Sequence, residues 1–122
     1  MKIFIFLFFL LSINTVHSAE NVSIIQLISN PEKYHNKKII ITGYLSLEFE
    51  GTAVYLHKDD FTHLITKNGL WFNGSMTKYK KYEKKYVSIE GVFNKNHKGH
   101  MNLWQGTIEK INRIWLPPTR KK

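Results

Sequence analysis

The feature that most constrains the fold of this chain is one long alternating stretch, residues 38–50 (KIIITGYLSLEFE). Apolar side chains fall on one face of this stretch and mostly polar ones on the other, with Gly43 between them. A period of two residues is typical of a β-strand with one buried face. The stretch is longer than most strands. We therefore expect the strand to bend, and glycine permits a bend at Gly43 and Gly51.

Residues 1–19 predict a secretory signal peptide, with cleavage after Ser18 or Ala19. A positive start at Lys2 precedes an unbroken apolar run over residues 3–11, and a more polar segment then ends in small residues. A membrane anchor is the alternative, but the run is too short, since a membrane span needs about 20 residues. We therefore expect a soluble exported protein, periplasmic or extracellular, with no stable membrane span after cleavage.

The rest of the chain is expected to form one domain over residues 20–118, followed by a disordered basic tail, residues 119–122. The sequence has no cysteine, so no disulfide can reinforce the core, as it does in many small exported proteins. There are 18 Lys and Arg against 9 Asp and Glu, a net charge of +9, and removal of Lys2 lowers it by one. Such an excess attracts nucleic acid, an anionic membrane surface or an acidic protein.

The pattern along this domain predicts a short helix over residues 22–29, capped by Asn21 or Ser23 and stopped at Asn30-Pro31. Five strands are predicted, over residues 38–50, 53–57, 70–72, 86–94 and from 101 toward 116. A charged helix over residues 76–85 lies between the third and fourth of these. In the last strand three isoleucines are spaced by three residues. A bulge near Lys110 would reconcile them with a strand, and a short helix over residues 109–113 is the alternative.

A small antiparallel sheet has exposed edges unless it curls and closes. Glycines inside three of the predicted strands allow the sharp bends that closure needs: Gly43, Gly91 and Gly106. The sequence therefore predicts a mainly β fold with two short helices, in which five strands form an antiparallel barrel.

The order of elements and one short motif resemble the OB-fold. Segment 30–44 (NPEKYHNKKIIITGY) resembles the opening of small exported OB-fold proteins of unknown function. In those proteins a helix ends in Asn-Pro or Asp-Pro and is followed by Tyr, Gly-Lys and Val-x-Val-x-Gly. Asn36 stands where that pattern has glycine. Asparagine tolerates the left-handed conformation better than most side chains, so we expect the turn to be kept.

The resemblance also implies a ligand face, because OB-folds similar to this chain bind ligands on strands 2 and 3 and the flanking loops. There aromatic and imidazole planes would stack on bases or sugars, and lysines would meet phosphate. On this chain that face would draw on Tyr55, His57, Trp71, Phe72, Lys95, His97, Lys98 and His100. The alternative is that Trp71 and Phe72 belong to the barrel core, and Trp104 and Trp115 are assigned to packing first.

Residues 78–86 (KYKKYEKKY) carry the strongest charge signal. Basic residues interleaved with aromatic ones can hold phosphates and stack on bases. A polyanion patch is therefore predicted at Lys78, Lys80, Lys81, Lys84 and Lys85. The plainer interpretation is an amphipathic helix whose tyrosines cap the barrel and whose lysines face water.

The sequence contains no hydrolase, metalloprotease, P-loop or dinucleotide-binding motif. His97 and His100 place two imidazoles on one loop, but a structural zinc site takes four ligands and cysteine is absent. We therefore expect no enzymatic activity, no metal and no cofactor. The predicted function is that of a monomeric, non-catalytic binding module. The alternatives are a protein-interaction role, as inhibitor, immunity factor or envelope-complex subunit, and the binding of a polyanion or nucleic acid.

Overall fold

The computed structural model describes residues 12–13 and 17–122. Most of the predicted signal peptide, residues 1–19, lies outside the described residues. The elements in chain order are β1 (Glu20–Asn21), α1 (Ile24–Ser29), α2 (Pro31–Tyr34), β2 (Lys38–Glu48), β3 (Gly51–Tyr55), α3 (Lys58–Thr62), β4 (Gly69–Phe72), β5 (Lys85–Asn94) and β6 (Thr107–Trp115). Three 3₁₀ turns lie between them, Thr66–Asn68, Lys80–Tyr82 and His100–Asn102.

Five of the strands close into an OB-fold-like barrel in the order β2-β3-β4-β6-β5, with β5 pairing back to β2. The pairs are antiparallel except for β4 with β6, which run parallel. The short β1 adds a parallel pair alongside β2. The predicted mainly β barrel is therefore confirmed, with one parallel pair in place of an all-antiparallel sheet.

The alternation of β2 places its apolar residues in the barrel interior. Ile39, Ile41, Leu45 and Leu47 are buried there, and Val87, Ile89 and Phe93 face them from β5. The one exception is Phe49, which follows the end of β2 and is exposed. The pattern predicted the interior face correctly up to the turn, where the chain leaves the sheet.

Gly43 directly precedes the part of β2 that pairs with β3. Residues 38–45 of β2 pair with β5, and residues 44–48 pair with β3. A Cβ at this position would lie 2.5 Å from the carbonyl oxygen of Tyr55 and 2.9 Å from Cδ1 of Ile24. Only glycine lets β3 and α1 approach the strand this closely.

The last strand contains the predicted bulge rather than a helix. Glu90 of β5 pairs with Arg113, whereas Val92, two residues on, pairs with Glu109, so β6 has extra residues between the two pairs. Lys110 lies in this bulge with φ of 49°. The bulge accounts for the irregular spacing of the isoleucines in β6.

The helix predicted at the start of the domain is α1, which packs over the barrel through Ile24 and Leu27. Ser23 caps it: the Ser23 hydroxyl accepts from the Gln26 amide, and the Gln26 side chain accepts from the Ser23 amide. Asn36 has φ of 61°, the left-handed conformation expected of it.

The helix predicted over residues 76–85 is wrong. This segment forms turns and one 3₁₀ turn, Lys80–Tyr82. Its lysines would repel one another at spacings of three and four in an α-helix. Tyr79 and Tyr82 lie in these turns. Both contact the core, as the plainer interpretation of these tyrosines required.

Two smaller differences concern the start of the last strand and one additional helix. The last strand begins at Thr107 rather than at residue 101, because residues 100–102 form a turn in which Met101 and Asn102 have positive φ. The polar segment after β3 forms a third α-helix, α3, where no definite helix was predicted.

Candidate functional site

The outer face of β2, β3 and β4, where the resemblance to the OB-fold implied a ligand face, is covered in this protein by its own side chains. A second hydrophobic cluster lies there, made of Tyr44, Ala53, Tyr55 and Trp104 with Phe61 and Trp71 packed against it. Trp104 comes from the loop between β5 and β6 and Phe61 from α3. The predicted ligand face is therefore occupied by two large side chains of the same chain.

Tyr55 shows the effect of this covering, since only 3% of its surface is exposed. Its ring packs edge-on against Phe61 at 6.0 Å between centroids. The pKa of the Tyr55 phenol is raised above its usual range, mainly by burial. The neighbouring Trp104 indole opposes this shift, and the Glu48 carboxylate adds to it. Tyr55 is thus a packed residue of the outer cluster and cannot meet a ligand in this conformation.

The helix α3 is held in place by Asp60, a buried carboxylate. One carboxylate oxygen accepts a 2.9 Å hydrogen bond from the His57 amide, and the other accepts a 2.9 Å bond from the Asn68 side chain. The hydroxyl of Tyr86 in β5 accepts from the Lys58 amide. These contacts fix Phe61 over the outer face.

An open groove lies at one end of the barrel, between the β2–β3 turn and the loop joining β5 to β6. We call it the rim groove. It has a volume of about 470 Å³ and is lined by Glu50, Thr52, Trp71, Met76, His97, Gly99 and His100. Three of the predicted ligand residues, Trp71, His97 and His100, meet here.

Two polar contacts hold the walls of the rim groove together. Nε2 of His100 lies 3.5 Å from the Glu50 carboxylate, so the β2–β3 turn is tied to the β5–β6 loop. The buried Thr107 hydroxyl donates to the His97 carbonyl at 2.6 Å and contacts Nδ1 of the same residue at 2.8 Å. Because the hydroxyl proton is used on the carbonyl, His97 Nδ1 is the donor to Thr107. His97 therefore positions its own loop against β6.

Trp71 offers little free ring surface to a ligand. Gly99, with φ of 72°, packs directly on the indole, because a Cβ there would lie 2.5 Å from Cδ2 and Cε3 of Trp71. The Trp104 ring lies beside it, with centroids 4.9 Å apart and planes tilted by 60°. A base or sugar would have to displace one of these neighbours in order to stack on Trp71.

Four exposed apolar side chains lie in or next to the segments that form the rim groove, and we call them the rim surface: Phe49, Met76, Met101 and Leu103. Phe49 is 85% exposed and Met101 is 76% exposed. These two residues adjoin Glu50 and His100 in the chain, and those two are in contact across the groove. Large side chains on both loops therefore point into solvent at the same end of the barrel.

The backbone of the rim surface is also unusual. Glu50, Met101 and Asn102 all have φ between 54° and 58°. Side chains other than Gly, Asn and Asp pay about 1–2 kcal/mol for this left-handed conformation. Strained positions cluster at sites of binding and catalysis, and Leu64, Lys84 and Lys110 have the same conformation elsewhere in the described chain.

The remaining predicted ligand residues lie elsewhere. Phe72 is in the barrel core, and His57 is an exposed residue at the start of α3. Lys95 forms an ion pair with Glu32 of α2 at 2.6 Å. Lys98 is exposed but does not line the rim groove.

The rim groove also includes four residues that were not predicted as ligand residues, namely Glu50, Thr52, Met76 and Gly99. The first two follow from the fold, because the β2–β3 turn of such a barrel lies beside the β5–β6 loop. Met76 has no comparable signal, since it belongs to the segment predicted as a helix.

The predicted polyanion patch divides into two groups. Lys78 and Lys81 line a second groove on the side of the barrel, beside β6. Lys80 forms an ion pair with Glu83, and the ammonium of Lys85 donates to the Lys81 carbonyl at 3.0 Å. Lys84, with φ of 55°, donates its backbone amide to Leu45 of β2.

Within residues 12–13 and 17–122, no three His, Asp, Glu or Cys side chains come together as a metal site would require. Over the same residues, no helix has the length and apolar character needed to cross a membrane. Comparison of the chain with protein-family models, curated proteins and solved structures gave no significant match. A functional assignment must therefore be argued from the side chains of this protein.

Proposed function

We propose that this protein is a non-catalytic binding module whose partner is another protein, bound at the rim surface. The observation that carries the proposal is a set of four exposed apolar side chains, Phe49, Met76, Met101 and Leu103. Met76 lines the rim groove, and the other three lie close in the chain to Glu50 or His100, which also line it. Exposed apolar clusters with a polar border are typical of interaction sites. Phenylalanine and methionine are also enriched in protein interfaces.

A small ligand on the outer sheet face is supported less well. Tyr55 is buried, and Trp71 is in contact with both Gly99 and Trp104. No lysine lines the rim groove to meet a phosphate. The aromatic side chains that could stack on a ligand at this face are therefore used for internal packing.

The Glu50–His100 pair adds a reason why the rim surface suits a partner with a defined shape. An exposed contact of this kind contributes at most about 1 kcal/mol to stability. It joins the β2–β3 turn to the β5–β6 loop, and Phe49 and Met101 are the chain neighbours of the two residues that make it. Preorganised side chains lose less entropy on binding than mobile ones.

The proposal is tested by replacing both prominent apolar residues, as Phe49→Ser with Met101→Ser. Purified protein is cross-linked in an envelope extract of the producing cell, and the bound proteins are identified by mass spectrometry. We expect a specific partner to be captured by the wild type and reduced at least about 10-fold by the double variant, since central interface residues often contribute 2 kcal/mol or more.

The matched control is Ile25→Ser with Leu64→Ser, which removes two exposed apolar residues at other places on the surface. It should capture the partner as the wild type does. Both double variants should unfold at the wild-type temperature, because the replaced side chains are exposed. Equal capture by the rim and control variants would refute the proposal.

We also propose that the protein is exported and acts in the periplasm or outside the cell. The signal-peptide pattern motivates this, and the fold agrees with it in one respect. Among residues 12–13 and 17–122, the first residue of a regular element is Glu20, directly after the predicted cleavage site, and residues 12–13 and 17–19 belong to no helix or strand. Cleavage there would remove no part of the barrel among the described residues.

A further inference from the structure

The side of the barrel next to β6 carries a groove that is separate from the rim groove. It has a volume of about 340 Å³ and is lined by Lys78, Tyr79, Lys81, Tyr82, Asn112, Arg113 and Ile114. Three of these residues are cationic and none is acidic. The groove exists because the bulge in β6 lies beside the turns of residues 76–84.

Arg113 is the most firmly held of the three cations. Its Nε lies 3.5 Å from the Glu90 carboxylate, and its guanidinium lies over the Trp115 ring at 4.3 Å from the centroid. Asn112 donates to the same Glu90 carboxylate. The two terminal nitrogens of such an arginine keep the planar, paired donors that match phosphate and sulfate oxygens.

Lys78 and Lys81 are available to an anion, whereas Lys80 is paired with Glu83. Neither forms an ion pair with any residue that the structure describes. Each ammonium lies over the ring of the next tyrosine, at 5.3 Å from the Tyr79 centroid and 5.1 Å from that of Tyr82. These contacts hold the lysines at the groove without neutralising them.

The same contacts argue against recognition of nucleic-acid bases. The rings beside the groove, Tyr79, Tyr82 and Trp115, already have a cation over one face, and Tyr79 is buried. Base stacking is the main sequence-tolerant contribution to single-strand binding. A ligand in this groove would therefore be recognised through its charged groups alone.

We propose that this groove is an anion-binding site for the phosphate or sulfate groups of a linear polyanion, with Arg113, Lys78 and Lys81 as its ligands. Inorganic polyphosphate and sulfated glycans share this oxyanion chemistry. The site is distinct from the rim surface, so the two can be removed independently.

The test measures binding of inorganic polyphosphate, heparin and a thymidine oligonucleotide to the folded protein at two salt concentrations. The site variant is Lys78→Gln, Lys81→Gln and Arg113→Gln. The control is Lys67→Gln, Lys98→Gln and Lys121→Gln, which removes the same charge from exposed positions outside the groove. We expect at least about a 10-fold loss for the site variant and less than about 3-fold for the control.

The salt dependence gives a second readout. Each phosphate contact on a single strand contributes about −0.7 to the slope of log affinity against log salt. Loss of the groove should therefore flatten the slope for the oligonucleotide by about 2, if its three cations each neutralise one phosphate. Arg113→Lys keeps the charge but loses the paired donors, so it should still weaken binding several-fold.

Equal losses in the site and control variants would overturn the proposal, because they would show attraction to net charge alone. Absence of binding at low salt, where screening is weakest, would also overturn it. So would an oligonucleotide that binds at least 10-fold more tightly than polyphosphate of equal charge, since that result would require base contacts. A higher affinity for either polyphosphate or heparin identifies the source of the oxyanion.

Discussion

At Gly43 the backbone of β2 passes so close to its neighbours that one methyl group would not fit. The nearest atom to an added Cβ is a backbone oxygen, that of Tyr55, at 2.5 Å. A backbone atom cannot rotate away as a side-chain end can. The strand pairing with β3 would have to shift for the methyl group to be accommodated.

We therefore expect Gly43→Ala to lower the free energy of unfolding by about 1–3 kcal/mol, the usual cost of overpacking. Gly51→Ala is the matched control, because the nearest atom to its added Cβ is 3.8 Å away. It should leave stability within about 1 kcal/mol of the wild type. Denaturant unfolding of both variants measures the difference, and equal stabilities would contradict the close approach at Gly43.

At the scale of elements, α3 determines how much of the outer face of β2, β3 and β4 is accessible to a ligand. Phe61 reaches that face only because Asp60 anchors the helix to the His57 amide and the Asn68 side chain. Loss of a buried carboxylate would leave both donors without this acceptor. Loss of the Asp60 carboxylate should therefore be the change that exposes the outer sheet face.

We expect Asp60→Ala to destabilise the protein by about 2 kcal/mol or more, since hydrogen bonds to charged groups contribute about 1.5–3 kcal/mol each. Asp59→Ala changes an exposed carboxylate of the same helix and should have an effect below about 0.5 kcal/mol. Thermal unfolding compares them. Amide hydrogen exchange in α3 should also rise in Asp60→Ala, and unchanged exchange there would contradict the anchoring role.

The strands and the barrel could be predicted from sequence because alternation reports directly which face of a strand is buried. The segment over residues 76–85 was mistaken for a helix because the spacing of its tyrosines suits both an α-helix and a 3₁₀ turn. Tyr79 packs against Phe72 of the barrel core. This tertiary contact is not visible in the hydrophobic pattern.

The candidate site was predicted only in part, for a different reason. Resemblance to a ligand-binding fold indicates which strands could form a site, but not whether the chain covers them. Phe61 and Trp104 come from two segments that are distant in sequence, and both pack over Tyr55 or its neighbours. Such covering depends on tertiary contacts that no local pattern reports.

At the scale of the whole molecule, the predicted cleavage site of the signal peptide can be tested by mass measurement. If export and cleavage occur as proposed, the mass of the mature protein corresponds to a start at Ala19 or Glu20.

A chain beginning at Glu20 should be as stable as the exported protein. A chain that begins at Ile24 should lose about 2–4 kcal/mol, because it lacks buried Val22, the bond from its amide to Ile40 and the Ser23 cap. An intact Met1 in the mature protein would contradict export.

The pairing of β2 with β5, which closes the barrel, limits the order in which the protein can fold. Ile41 pairs with Ile89, and β6 must then fit between β5 and β4. No sub-barrel can therefore form from the first half of the chain, and folding must wait for nearly all of it. Topologies dominated by such distant pairings fold in milliseconds to seconds. If the protein is exported as proposed, its barrel can close only after nearly all of the chain has been synthesised.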